Sequence, residues 1–161
     1  MTTPYYIVVC HPHIAELDYL LAMLTQLQAD QLIAQLKEAA RKESFEWQNN
    51  QAQNELFVAI KNDKLHFILS LKRNPHEIRL HLRTKDRDIG LVRLDAAAYH
   101  TNPDGTELRN QPHLHKYREG YGLEFAEAVD WHDPANPVAT LDRFLEEITA
   151  HFPFGYQLDL F

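Results

Sequence analysis

Two neighbouring segments, LHFILSLK (65–72) and EIRLHLR (77–83), alternate apolar and polar residues on either side of Arg73-Asn74-Pro75-His76. Successive side chains on a strand point to opposite faces, so this period of two predicts an antiparallel hairpin with one apolar and one polar surface. Ile78, Leu80 and Leu82 fall on the core side, and Arg79, His81 and Arg83 on the other. A sheet must bury its apolar face, so the rest of the chain has to supply the cover.

The cover is written in a different period. From Ile14 to about Lys42 the apolar residues Leu17, Leu20, Leu21, Leu24, Leu27, Leu32, Ile33, Leu36 and Ala40 recur at helical spacing. Asp30 stands where an N-cap would restart the register, so the pattern predicts one long helix or a pair joined near Ala29. Before it, residues 4–10 are short and apolar enough for a strand or a cap on the fold. After Lys42 the period of two takes over with Phe45 and Trp47, then with residues 56–60 and a turn expected at Asn62-Asp63. Further strands are predicted over 89–99 and over His113–Glu119, with Asn102-Pro103-Asp104-Gly105 as the turn before the second of these. Pro134 and Pro137 close the sheet region, and Val138–Thr149 is an amphipathic helix. The expected architecture is α+β: an antiparallel sheet with an N-terminal helix or helix pair and a C-terminal helix packed mainly on one face. The length of 161 residues predicts a single domain spanning 1–161.

Composition narrows the function classes. With 45% hydrophobic and 24% charged residues the chain reads as globular. No apolar run reaches the roughly 18–20 residues of a membrane span. The start, MTTPYYIVVCHPH, lacks the basic n-region of a signal peptide, so a cytoplasmic protein is expected. Cys10 is the only cysteine, which excludes an internal disulfide and a thiolate zinc site. Its neighbour His11 would point to the opposite strand face, so the two make no nucleophile–base pair. Acidic residues outnumber basic ones 23 to 16, for a formal charge of −7, which argues against broad nonspecific nucleic-acid binding. It suits an inhibitor or antitoxin that docks on a basic protein partner.

Chemistry concentrates in YHTNPDGTELRNQPHLHKYREGY (99–121). On an extended strand His113, His115, Tyr117 and Glu119 share a face. If strands 77–83, 89–99 and 113–119 are neighbours, Arg79, Arg83 and Arg93 lie beside His100, His113, His115 and Tyr117. Arginine forks hold phosphate, and a histidine pair exchanges protons near neutral pH. The set therefore suits a phosphate-bearing ligand or RNA, and a ribonuclease working without metal. There His113 and His115 would be acid and base, Tyr117 would orient the substrate, and His100 and Asn102 would position it from the turn. No cofactor is required on this reading. The alternative is a divalent metal, with His113 and His115 on one side of a strand and Glu119 or His100 completing three ligands. A third reading is structural: histidines and tyrosines that satisfy one another's hydrogen bonds, with Arg79, His81 and Arg83 on a solvated face.

Three resemblances follow from these motifs. Gly105, then His113, His115, Glu119 and Gly122, are similar to the first cupin motif, although both glycines stand at other spacings than that motif has. EIRLHLRTKD (77–86), LVRLD (91–95), HTNPDG (100–105) and PHLHKYREGY (112–121) resemble an uncharacterised family of small bacterial and phage proteins. ELDYLLAML and FLEEI fit that family's layout of helix, sheet and final helix. The resemblance implies that His100, Asn102, Gly105, His113, His115 and Tyr117 matter, and it implies no reaction. Lys116 replaces the apolar residue expected there. More loosely, the chain is similar to toxins of toxin–antitoxin pairs, which implies RNA cleavage.

Overall fold

The computed structural model describes residues 23–159. Helix α1 (Gln26–Ala34) is followed by strands β1 (Lys37–Ala39), β2 (Phe45–Trp47), β3 (Ala52–Ala59), β4 (Asn62–Asn74), β5 (Glu77–Thr84) and β6 (Gly90–Asp95). Then come the short hairpin β7 (Tyr99–Thr101) and β8 (Glu107–Arg109), β9 (His113–Lys116) and β10 (Ala126–Ala128). Helix α2 (Pro137–Glu147), β11 (Ala150–His151) and β12 (Tyr156–Leu158) complete the described chain. Eight strands form one sheet in the order β10-β9-β6-β5-β4-β3-β1-β11. Every pair is antiparallel except β1 with β11. The fold is α+β.

The predicted hairpin is the centre of this sheet. Leu69 pairs with Leu82 and Leu71 with Leu80, while Leu80 and Leu82 pair onward with Leu94 and Val92. These side chains are essentially unexposed and join Phe57, Phe67, Leu141, Phe144 and Ile148 in one core. Both helices contribute to that cluster, α1 through Ala29, Leu32 and Ile33 and α2 through Leu141, Phe144 and Leu145. Asn136 caps α2, its Oδ1 accepting from Ala139 N at 3.2 Å, and Pro137 occupies the first turn where its missing N–H costs nothing.

Four expectations need correction. The helical stripe does not run to Lys42. Helix α1 starts at a Thr25 capping box, with Asp30 in its interior, and stops at Ala34. The next residues pair instead with β3 and β11, because Lys37 and Ala39 bury on the same side of a strand. The Lys37 ammonium then donates to Ile33 O, Gln35 O and Ile148 O at 2.7–2.8 Å, closing the carbonyl ends of both helices. Residues 4–10 and 14–22 lie outside the described residues.

The β3–β4 turn is at Ile60-Lys61, and Asn62 already pairs with Ala59. The strand expected over 89–99 stops at Asp95, where the chain leaves the sheet for the β7–β8 hairpin. Finally, β9 ends at Lys116, so alternation does not carry on to Tyr117 and Glu119. Lys116 pairs with Val92 on the helix-covered side and reaches Glu147 of α2 at 2.7 Å, which accounts for a lysine there.

Candidate metal centre

The other face of the same strands is polar. Asn54, Ser70, His81, Arg93, His115 and Ala126 are successive cross-strand partners from β3 to β10. One pleat away, Lys72 pairs with Arg79 and Asp95 pairs with His113. The three predicted strands are therefore neighbours, and the arginines and histidines share a surface.

His100 comes to this surface from outside the sheet. Asn102 clamps its hairpin to the edge strand, with Oδ1 accepting from Ala126 N at 2.8 Å and Nδ2 donating to Ala126 O at 3.0 Å. The imidazoles of His100, His113 and His115 then meet, with ring centroids 4.8–5.3 Å apart. One ligand-capable atom from each lies within 4.8 Å of the other two.

The hydrogen bonds around the trio assign its tautomers. His113 Nδ1 is 2.8 Å from Gln111 O, and His115 Nδ1 is 2.7 Å from Leu123 O. A carbonyl only accepts, so each Nδ1 carries a proton and the Nε2 lone pair is left facing inward. His100 Nε2 lies 3.0 Å from both Asn102 Oδ1 and Glu124 O, so in this ring Nδ1 keeps the lone pair.

Asp95 borders the cluster. Its Oδ1 is 2.9 Å from His113 Nε2, and its Oδ2 is 3.5 Å from His115 Nε2 and 3.1 Å from Arg93 Nε. Burial alone would raise its pKa. The neighbouring His115 and His113 rings, the Ala97 N–H and the Arg93 guanidinium outweigh that and hold the carboxyl well below the usual range. Arg93 Nη2 is 3.1 Å from His115 Nε2, as expected for a donor on that lone pair. His113 Nε2 and Arg93 Nε, although close to Asp95, are both buried without an aligned hydrogen bond. Two unsatisfied buried groups at one spot ask for an explanation, and an ion or small ligand between them is one.

The remaining predicted residues separate by role. Tyr117 is 3% exposed and its hydroxyl donates to Leu24 O at 2.7 Å, tying the segment before α1 to the end of β9. Glu119 accepts from Gln26 N at 2.9 Å and is not in the cluster, where His100 stands beside the pair instead. Asn102 is a buried clamp. Arg79 pairs with Glu77 at 2.6 Å, and Arg83 with Ser70 and Asp88 at 2.5 Å.

Two residues of the site were not singled out from the sequence. Asp95 shares its strand face with Arg93 two positions earlier, so alternation alone could have found it. His81 sits between Ser70 and Arg93 with its Nε2 buried and unpaired. Burial, then Arg83 and Arg93, push its pKa down to about 4, so the ring is neutral near pH 7. Leu123 walls it in. A Cβ on Gly90 would stand 2.6 Å from Leu123 Cδ1 and 2.9 Å from His81 Nε2, so any other residue there would make these side chains shift.

Fold and site define an α+β protein whose open antiparallel sheet carries a three-histidine cluster on its polar face. The chain belongs to the family of unknown function DUF6978, whose model matches residues 24–149. No curated protein and no solved structure matches it. Among the described residues no helix is long and apolar enough to cross a membrane.

Proposed function

We propose that this protein binds a divalent transition-metal ion through His100, His113 and His115. The observation that carries the reading is the convergence of three imidazoles whose outer nitrogens are each held by a backbone carbonyl. That second shell fixes ring orientation and leaves one ligand-capable nitrogen of each ring within 4.8 Å of the other two, so that an ion between them would displace Arg93 from His115 Nε2. Neutral nitrogen donors favour zinc, copper, nickel or iron over magnesium or calcium. Three protein ligands leave a position open, the pattern of catalytic zinc and not of closed structural sites. Asp95 supplies the negative charge that favours a cation beside it.

A cupin-like reading gains the His-x-His pair but not the rest, since Glu119 is elsewhere and the eight strands run in linear order with two edges. The ribonuclease without metal is the second reading, favoured by Asp95 lying 2.9 Å from His113 Nε2. It requires a substrate hydroxyl within hydrogen-bond reach of the rings, yet His113 and His115 are 0% exposed. The formal charge of −7 keeps an inhibitor or antitoxin role as a partner-level alternative.

Zinc titration of chelator-stripped protein, followed by elemental analysis after dialysis, tests the metal reading. Near-stoichiometric zinc is expected in the natural chain and a loss of it in His100→Ala and His113→Asn. A folded chain that retains no zinc, nickel, copper or iron would rule the reading out.

A further inference from the structure

A groove of about 500 Å³ runs along the polar face beside the histidines, lined by Asn54, Ser70, Lys72, Arg79, Arg93 and Asp95 among others. It shares Arg93 and Asp95 with the cluster. Arg93 also lines a second opening with His100, so one guanidinium borders both spaces. We propose that this groove binds a small phosphate-bearing anion, with Arg93 holding it beside His100, the half-buried member of the cluster. The inference rests on the metal reading for its endpoint but on different residues for its affinity.

Three observations support it. In a chain of formal charge −7, Lys72, Arg79 and Arg93 bring three cations to one wall, against Asp95 in the lining and Glu77 on Arg79. Lys72 is exposed, and the Arg79 side chain is 59% exposed with its one ion pair among the described residues made to Glu77. An exposed pair of that kind is worth little, so a phosphate can take the guanidinium over. The cross-strand spacing sets the reach: from Lys72 across β5 and β6 to His113 is three strand steps, about 14 Å. A small anion covers part of that span, between Lys72 and Arg79 at one end and Arg93 at the other.

The lining also says what the ligand is not. Single-stranded nucleic acid needs aromatic faces on which bases stack, and the groove wall has no aromatic ring other than neutral His81. Its cationic members, the Lys72 ammonium and the arginine forks, are oxygen-binding groups, while the Ser70 hydroxyl is already bonded to Asn54 Oδ1 at 2.5 Å. Recognition is therefore of the phosphate and not of a base.

Equilibrium dialysis with inorganic pyrophosphate tests this in zinc-loaded and zinc-stripped protein, natural and Lys72→Ala/Arg79→Ala. The expected result is binding by the natural chain, weakened about tenfold or more in the double variant, with zinc content unchanged. Equal binding by the double variant, or no pyrophosphate binding to the natural chain, would overturn the proposal. So would a mixed-sequence single-stranded oligonucleotide binding more tightly than pyrophosphate through the same two residues. Should the chain prove unable to hold zinc, the stripped protein still reads the groove alone, because Lys72 and Arg79 lie outside the cluster.

Discussion

The two faces of the central strands are built from the same backbone and differ in nearly everything else. On the helix-covered side, Leu69, Leu71, Leu80, Leu82, Val92 and Leu94 are buried among apolar neighbours. On the other, Ser70, His81, Arg93 and His115 follow one another across four strands. The first face is covered by two helices. Among the described residues the second is covered only at one end, by the β7–β8 hairpin and the loop carrying Leu123 and Glu124, and that end is where the histidines are sealed. Burial on the first face lowers the free energy of the fold through area removed from water. Burial on the second costs desolvation, and each polar group there needs a partner to offset it. The apolar face thus holds the sheet together, while the polar face holds groups in a state that invites a ligand.

If that division is right, substitutions on the two faces should have separable effects. The largest stability change is expected on the helix-covered side: Leu82→Ala should cost about 2–5 kcal/mol in urea unfolding, with zinc stoichiometry intact in the fraction that stays folded. Lys37→Met should come close, at about 2–4 kcal/mol. It leaves three carbonyls without donors, and a neutral amine offers only two N–H groups, so the site is made for the ammonium despite burial, which pushes its pKa down to about 7. A loss below about 1 kcal/mol would show that water takes over those carbonyls.

The polar face should respond to ligand instead. Zinc at about a hundred times its dissociation constant should stabilise the natural chain by about 2.7 kcal/mol and leave His100→Ala unmoved, as read by thermal unfolding. Equal shifts in both would place the metal elsewhere. His81 sharpens the comparison by pH. Its folded pKa of about 4 lies below the ordinary 6.5, so the unfolded chain binds more protons and stability falls as pH drops from about 6.5 to 4. His81→Gln should flatten that limb by about 1–2 kcal/mol, and an unchanged acid profile would mean that the ring is hydrated. Least affected should be Arg79→Ala, within about 0.5 kcal/mol of the natural stability, because its ion pair with Glu77 is made by a largely exposed guanidinium.

Much of this was legible in the sequence for a stated reason. Strands β4 and β5, their turn and the identity of each face follow from alternation, which is local. The same rule misled at the end of β9, where Tyr117 already lies beyond the strand and Glu119 belongs to a turn. It also misled before β1, where a helical stripe ran on through Lys37. There the strand exists because β3 and β11 offer pairing partners, and those come from positions far along the chain. The histidine pair was legible as a spacing; its third member was left as a choice between His100 and Glu119.

Residue order by itself determined that this chain makes a two-faced antiparallel sheet, and that His113 and His115 share one side of a strand. Which ring joins them was decided only in three dimensions. Asn102 anchors the hairpin to β10, an edge strand formed 24 residues later, and that anchorage swings His100 over the pair. Periodicity reports which way a side chain faces, because it depends on neighbours along the backbone. It is silent on which distant segment folds across that face, because that depends on hydrogen bonds formed after the chain has closed on itself.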